Sequence, residues 1–170
     1  GTVQDNERFS KGIYFSWDTA QGDVGVTCES QSGGLLSVEA RVAAAPRWFT
    51  LTLALGRDTF AAGDVLGLVA DAASDAERAL SMFVRSAAGG EVTDTQLADP
   101  LALGSDRGVT TALHTLAADD PMPAAEKIHT LVIRLPKEDF RLTLNGLTFF
   151  VVPAARGLRS VPHDLTSAAG

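Results

Sequence analysis

The stretch FRLTLNGLTFFVV, Phe140–Val152, consists of two short runs of alternating apolar and polar residues that meet at Asn145-Gly146. A period of two is typical of a β-strand whose two faces meet different surroundings. Asn-Gly between two such runs favours a type I′ turn, because both central residues of that turn take positive φ. The sequence therefore predicts a β-hairpin with strands at residues 140–144 and 147–152.

Similar alternating segments recur along the rest of the chain, and Gly, Pro, Asp and Ser clusters separate them. Short strands at this spacing are typical of antiparallel sandwiches and barrels. We predict an all-β fold, an antiparallel two-sheet sandwich of the jelly-roll or lectin-like type with about 8–10 strands and at most one or two short helices. The other predicted strands are 13–18, 35–43, 48–55, 65–72, 80–86, 108–116 and 128–135.

One segment is ambiguous between helix and strand. The sequence SDAE at residues 74–77 fits a helix capping box, and apolar residues follow at helical spacing as far as Gly89. The same segment alternates as a strand over 80–86, and the Gly89-Gly90 pair that follows it is typical of a hairpin turn. We favour the strand and keep a helix over 74–88 as the alternative. A short helical turn is also expected within 124–127.

Length and composition indicate one folded domain, which we place at residues 1–170 with irregular termini at 1–10 and 155–170. Of the 170 residues, 45% are hydrophobic and 21% are charged, as in ordinary globular proteins. Lys and Arg number 14 against 21 Asp and Glu, for a formal charge of −7, and no basic stripe opposes it. Such a surface repels phosphate backbones, so nucleic-acid binding is not expected.

The longest apolar runs are shorter than the ~20 residues that a membrane-spanning helix needs. Cys28 is the only cysteine, which excludes an internal disulfide and a zinc site built from several thiolates. We expect a soluble domain and leave its compartment open, including export after loss of a signal segment.

Sorting each strand into its two faces predicts a set of outward-facing residues that are suited to binding. Phe49, Leu51 and Leu53 form the apolar, inward set of one strand, and Trp48 belongs to the opposite set. Trp17 has an inward phase. The candidate binding residues are Tyr14, Glu39, Arg41, Trp48, Arg85 and His114.

Aromatic rings flanked by charged groups suit a carbohydrate, because a sugar stacks its C–H face on the ring while its hydroxyls bond to the charges. We therefore expect a non-catalytic module that recognises a glycan, with Trp48 as the stacking platform. Trp48 could alternatively have a purely structural role, as a residue at the edge of a strand that a loop covers. Glu39 and Arg41 could alternatively be ordinary residues of a solvated face.

Two other classes of function remain open. A glycoside hydrolase would need two of Asp18, Glu39, Asp94 and Asp99 in one cleft, and a polysaccharide lyase would need Tyr14 near His114 and an arginine. The third class is an assembly module that binds a protein partner or forms a homodimer. No nucleophile, P-loop or dinucleotide motif is present.

We expect no cofactor, although the acidic loops at 71–75 and 119–120 have the residue types of a structural calcium site. A metal site at His114 and His129 would need them on adjoining strands, and His163 lies in the tail.

Overall fold

The structure, a computed structural model, describes residues 1–10, 12–123 and 125–154. Nearly all regular structure in these ranges is β-strand, with one short 3-10 turn at Ser32–Gly34. The strands are β1 (Thr2–Val3), β2 (Arg8–Ser10), β3 (Ile13–Trp17), β4 (Asp23–Ser30), β5 (Leu36–Ala44), β6 (Phe49–Asp58), β7 (Val65–Ser74), β8 (Arg78–Leu80), β9 (Met82–Ala88), β10 (Glu91–Gln96), β11 (Leu101–Leu103), β12 (Gly108–Thr115), β13 (Lys127–Arg134) and β14 (Phe140–Val152).

Two antiparallel sheets carry most of these strands. Sheet A has the order β1-β4-β5-β14-β7-β12, sheet B has the order β10-β9-β13-β6-β3-β2, and β8 pairs with β11. The predicted all-β antiparallel sandwich is confirmed. Within the described ranges, no helix is long and apolar enough to cross a membrane.

The hydrophobic core lies between the inner faces of the two sheets. Phe49 of β6 contacts Phe140 of β14 across the core, with ring centroids 5.7 Å apart. Trp17 packs on Phe49 at 5.9 Å with the two ring planes nearly perpendicular. Leu51 and Leu53 are buried beside them, so the inward phases predicted for β6 are confirmed.

The hairpin predicted at Asn145-Gly146 is wrong. Residues Phe140–Val152 form one continuous strand, and neither Asn145 nor Gly146 takes positive φ. The pairing of β14 with β7 shifts register between Leu144 and Gly146, so Asn145 is the extra residue of a β-bulge. Because one residue is inserted, Leu144 and Leu147 both face the core although they lie three positions apart.

A two-residue turn with positive φ occurs instead at Gly89-Gly90, where φ is 57° and 87°. It joins β9 to β10 and brings Ala88 opposite Glu91. Both central residues are glycines, so the left-handed conformation carries no side-chain penalty. Residues 78–80 and 82–88 are strands, and the alternative helix over 74–88 is wrong.

Three further expectations concern the two ends of the chain and the segment 124–127. Residues 1–10, expected to be irregular, contain β1 and β2. Residue 124, the start of the expected helical turn, lies outside the described residues, and β13 begins at Lys127. Residues 155–170, expected to be irregular, also lie outside the described ranges.

The outer face of sheet A carries apolar side chains near β12. Phe150 of β14 lies across Gly67, its direct partner on β7, so closely that a Cβ on Gly67 would be 2.1 Å from Phe150 Cζ. Leu113 of β12 pairs with Gly67 on the other side. Past the bulge, residues 147–152 pair with β7 along one edge, because the pairing with β5 ends where Leu144 meets Leu36.

Candidate functional site

A cleft of about 610 Å³ crosses the outer face of sheet B, the side that faces away from the core. Its size lies within the range of roughly 300–1,000 Å³ that is typical of ligand sites. Tyr14, Thr52, Val132 and Phe83 are direct partners on the neighbouring strands β3, β6, β13 and β9. Direct partners stand side by side across the strands. The floor of the cleft is therefore a row of side chains perpendicular to the strands.

The floor residues are buried although they point away from the core. Thr52 is 4% exposed, Phe83 is 8% exposed and Val132 is similarly covered. An outward residue on a flat solvated sheet would be open to water. Burial at this row means that taller side chains stand around it, and the face is therefore a groove.

Trp48 stands at one end of the cleft, immediately before β6 and out of phase with the inward-facing Phe49. It is 43% exposed, whereas Trp17 is buried in the core. An indole with this exposure presents a broad apolar surface to a ligand.

The segment that carries Trp48 is held by Asp18 at the end of β3. Asp18 Oδ2 accepts a hydrogen bond from Arg47 Nε at 2.6 Å, and the Asp18 backbone N–H donates to the Trp48 carbonyl at 3.1 Å. The hydrogen bond from Arg47 lowers the pKa of the buried Asp18 carboxyl below its usual value. The ionised carboxylate thus fixes both residues at this end of the cleft.

Arg85 and Asp94 face each other across β9 and β10 on the same side of sheet B. Arg85 Nε and Nη2 donate to Asp94 Oδ1 and Oδ2, each at 2.8 Å. The hydrogen bond from Arg85 is the main reason that the pKa of Asp94 is lowered, and desolvation opposes it. The Arg85 guanidinium also lies 5.3 Å from the centre of the Phe83 ring. This pair fixes a donor and an acceptor at the rim.

The cleft brings together three of the six predicted binding residues, Tyr14, Trp48 and Arg85. Glu39 and Arg41 lie on β5 in sheet A, on the opposite side of the sandwich. There Arg41 bonds to Glu39 at 2.5 Å and to Asp139 at 3.2 Å. The six residues therefore do not form one site.

His114 was expected to face outward, but on β12 it shares the phase of the core residues Ala112 and Leu116. Its Nε2 lies 3.1 Å from Asp120 Oδ2, and its Nδ1 accepts a hydrogen bond from the Ala98 backbone N–H at 3.1 Å. His114 is on sheet A and Tyr14 is on sheet B, so the arrangement expected for a lyase is not formed.

His129 lies on β13 in sheet B and His114 on β12 in sheet A, so the two histidines are not on adjoining strands as a shared metal site would require. Its ring is almost fully buried, with Nδ1 2.8 Å from Ser86 Oγ and Nε2 3.1 Å from the Asp58 carbonyl oxygen. A carbonyl can only accept, so Nε2 carries the proton and Nδ1 accepts from the serine hydroxyl. Burial lowers the pKa of His129 and keeps the ring neutral.

The acidic loop at 71–75, one of the two considered for calcium, holds ion pairs with arginines. Asp71 accepts two hydrogen bonds from Arg107, and Asp75 binds Arg78. Across the described ranges, no three His, Cys, Asp or Glu side chains are grouped as metal ligands would be. Of the carboxylates considered for a hydrolase, Asp94 lines the cleft, while Glu39 lies on the other sheet.

Three residues that help to form the cleft, Phe83, Arg134 and Lys137, are not among the binding residues predicted from the sequence. Alternation along residues 80–86 places Phe83 on the same face as Arg85, and alternation along 128–135 places Arg134 with Val132. Those phases would have found both side chains. Lys137 follows the end of β13 in a loop, where period-two sorting gives no direction.

Solved carbohydrate-binding modules share this fold. The N-terminal cellulose-binding domain of β-1,4-glucanase C from Cellulomonas fimi is 17% identical with a TM-score of 0.51, over 82% of this chain and 88% of that chain. The family 11 carbohydrate-binding module of the cellulase Lic26A-Cel5E from Clostridium thermocellum is 8% identical with a TM-score of 0.52, over 91% and 95%. The CBM22-1 xylan-binding domain of Xyn10C from Paenibacillus barcinonensis is 14% identical with a TM-score of 0.51, over 91% and 94%.

No protein-family model matches the chain, and no curated protein sequence does. At identities this low, the likeness to the solved modules shows the β-sandwich fold alone.

Proposed function

We propose that this chain is a non-catalytic carbohydrate-binding module that holds a glycan in the cleft of sheet B. The observation that carries the proposal is the exposed indole of Trp48 at one end of a groove with charged hydrogen-bonding groups at its rim. A sugar ring stacks on the indole, and its hydroxyls bond to groups such as Arg85 and Asp94.

The shape of the groove supports a chain of sugars rather than a single one. The floor row from Tyr14 to Phe83 crosses four adjacent strands, which at about 4.8 Å per strand spacing gives a track of roughly 14 Å. The fold neighbours that are named for cellulose and xylan add support, because both ligands are extended polysaccharides.

Trp48, Tyr14 and Arg85 make up the proposed site together with the floor residues. Glu39, Arg41 and His114 are left out of it because they belong to the other sheet.

The test is binding of the purified protein to an array of plant and microbial polysaccharides, with Trp48→Ala as the variant. One face of the indole corresponds to about half of its 43% exposed surface, or about 50 Å² of a side chain of about 250 Å². At about 25 cal/mol per Å² this area contributes about 1.3 kcal/mol, so we expect affinity to fall about tenfold.

Leu113→Ala is the matched control, because Leu113 is 44% exposed but lies on sheet A. It should bind as the parent does. Equal binding by Trp48→Ala and the parent would remove the indole from the site, and the absence of binding to any glycan would refute the proposal.

A second candidate is assembly with another copy through the outer face of sheet A. It is favoured by the exposed apolar side chains there, with Val109 71% exposed and Leu113 and Val152 beside Phe150. Sedimentation velocity at rising concentration tests it. A dimer that Leu113→Lys dissociates would support assembly, and a monomer throughout would contradict it.

A further inference from the structure

The cleft of sheet B differs in charge from the rest of the protein. The chain has a formal charge of −7. The described residues that line the cleft nevertheless include a single carboxylate, Asp94, against four basic side chains. The basic residues are Arg47, Arg85, Arg134 and Lys137.

Two of the four basic side chains form ion pairs with carboxylates of this protein. Arg85 forms its two-pronged pair with Asp94, and Arg47 is paired with the buried Asp18. These pairs leave little net charge for a ligand.

Arg134 is different, because its guanidinium is held by neutral oxygens. Its Nη1 donates to Ser81 Oγ at 3.1 Å and to Gln96 Oε1 at 2.9 Å, and the guanidinium lies 4.5 Å from the Phe83 ring centre. Among the described residues it forms no ion pair, although its charge helps to lower the pKa of Asp94. The guanidinium is thus fixed in place, with donors remaining on Nη2 and Nε.

The ammonium of Lys137 likewise donates to a neutral group, the backbone carbonyl of Arg47, and, within the part of the chain that the structure describes, not to a carboxylate. Arg47 is the residue before Trp48, and Arg134 pairs with Thr50, two residues after Trp48. Lys137 therefore lies at the end of the cleft at which the indole stands, whereas the Arg134 guanidinium reaches from β13 toward Phe83 on β9 and Gln96 on β10.

We infer that the glycan bound in this cleft is anionic, and that its uronic-acid carboxylates pair with Arg134 within the cleft and with Lys137 beside the sugar that stacks on Trp48. The inference rests on the proposed function. A guanidinium with free paired donors matches the two oxygens of a carboxylate, and charge-assisted hydrogen bonds are about twice as strong as neutral ones. The −7 charge of the chain repels a polyanion at long range, so the gain comes from these short-range contacts.

The experiment compares polysaccharides that differ only in charge. Titration calorimetry would measure binding of glucuronoxylan and polygalacturonate, each beside its carboxyl-reduced neutral form, with a sulfated galactan as a further arm. We expect at least one carboxylated form to bind about tenfold more tightly than its neutral partner, as one charge-assisted contact provides.

Equal binding of charged and neutral forms would overturn the inference and leave the proposed function standing. Binding of neither form, nor of any neutral glucan or xylan, would overturn both. Tighter binding of the sulfated galactan than of the carboxylated chains would overturn the assignment to a carboxylate.

Substitutions of the two cations test whether they contact the carboxylates of the glycan. Arg134→Gln and Lys137→Gln should each weaken binding of the carboxylated form about fivefold to tenfold, a clearly larger loss than either variant causes for the neutral form. Arg141→Gln is the matched control, since Arg141 is an exposed arginine on sheet A. Equal losses for the charged and neutral forms would show that the cations only support the cleft, and would overturn the inference.

Discussion

Replacing Gly67 with alanine tests whether the Phe150 ring fills the space above β7. The new Cβ would lie 2.1 Å from Phe150 Cζ and 2.4 and 2.6 Å from its two Cε atoms, so the ring must move away. Phe150 is half-buried. If the ring gives up about 100 Å² of covered apolar surface, the loss is about 2.5 kcal/mol. Alanine in a strand recovers about 0.5–1 kcal/mol over glycine, for a net destabilisation of about 1.5–2 kcal/mol.

Urea unfolding of a double-mutant cycle measures this coupling. In a Phe150→Ala background the space is empty, so Gly67→Ala should be stabilising by about 0.5–1 kcal/mol. The coupling free energy between the two positions should therefore be about 2–3 kcal/mol. If Gly67→Ala costs the same in both backgrounds, the ring does not occupy the space and the reasoning fails.

Three other predictions concern titratable groups. Burial lowers the pKa of His129, so as pH falls the unfolded chain takes up a proton before the folded protein does. The free energy of unfolding should therefore be greatest above pH 6.5 and decline as pH falls below that value. Urea midpoints measured from pH 7.5 to 5 would show this decline, and His129→Gln should make it shallower. Hydrogen bonds from Arg107 hold the pKa of Asp71 at about 2, so Arg107→Gln should raise it toward 3.8 in a carboxyl NMR titration; an unmoved pKa would contradict the assigned cause. Burial raises the pKa of Cys28 to about 11, so iodoacetamide at pH 8 should alkylate it in urea and spare it in the folded protein, as mass spectrometry can show.

The fold class could be predicted because alternation is strong wherever one face of a strand meets the core. Phe49, Leu51 and Leu53 alternate without interruption, and their phase follows from a period of two alone. β4 and β10 were not predicted as strands, although β4 places Val26 and Cys28 in the core. β10 is an edge strand of mostly polar residues. Its sequence has little apolar alternation, and it is a strand because it pairs with β9.

The hairpin at Asn145-Gly146 failed because a local signal competes with tertiary pairing. Asn-Gly is favourable in a tight turn, but β7 offers a continuous edge on which both halves of β14 pair. A bulge at Asn145 satisfies that pairing and keeps both apolar sets inward. Sequence alternation cannot distinguish a bulge from a turn, because each inverts the phase in the same way.

The candidate site could be predicted only in part. The alternation along a strand shows whether a side chain faces the core or the solvent, but it does not show to which of the two sheets the strand belongs. Tyr14, Trp48 and Arg85 share a face because β3, β6 and β9 belong to sheet B, whereas Arg41 has the same outward character on sheet A. The sheet to which a strand belongs depends on pairing between strands that are distant in the chain, and the alternation in a single sequence does not reveal that pairing. The cleft floor was missed for a related reason, because threonines facing outward, such as Thr52, are expected to be solvated.

The bulge at Asn145 also has a consequence for how the protein behaves when it is concentrated or partly unfolded. After the bulge, the sequence LTFFVV at residues 147–152 carries no charge and no proline, and in the described part of the chain it pairs with β7 along one edge only. Uncharged, β-prone segments at an open strand edge are the usual starting points of intermolecular cross-β aggregation. This segment is therefore where fibril growth should start, and a lysine at Thr148, whose side chain is exposed, is the gatekeeper that would oppose it.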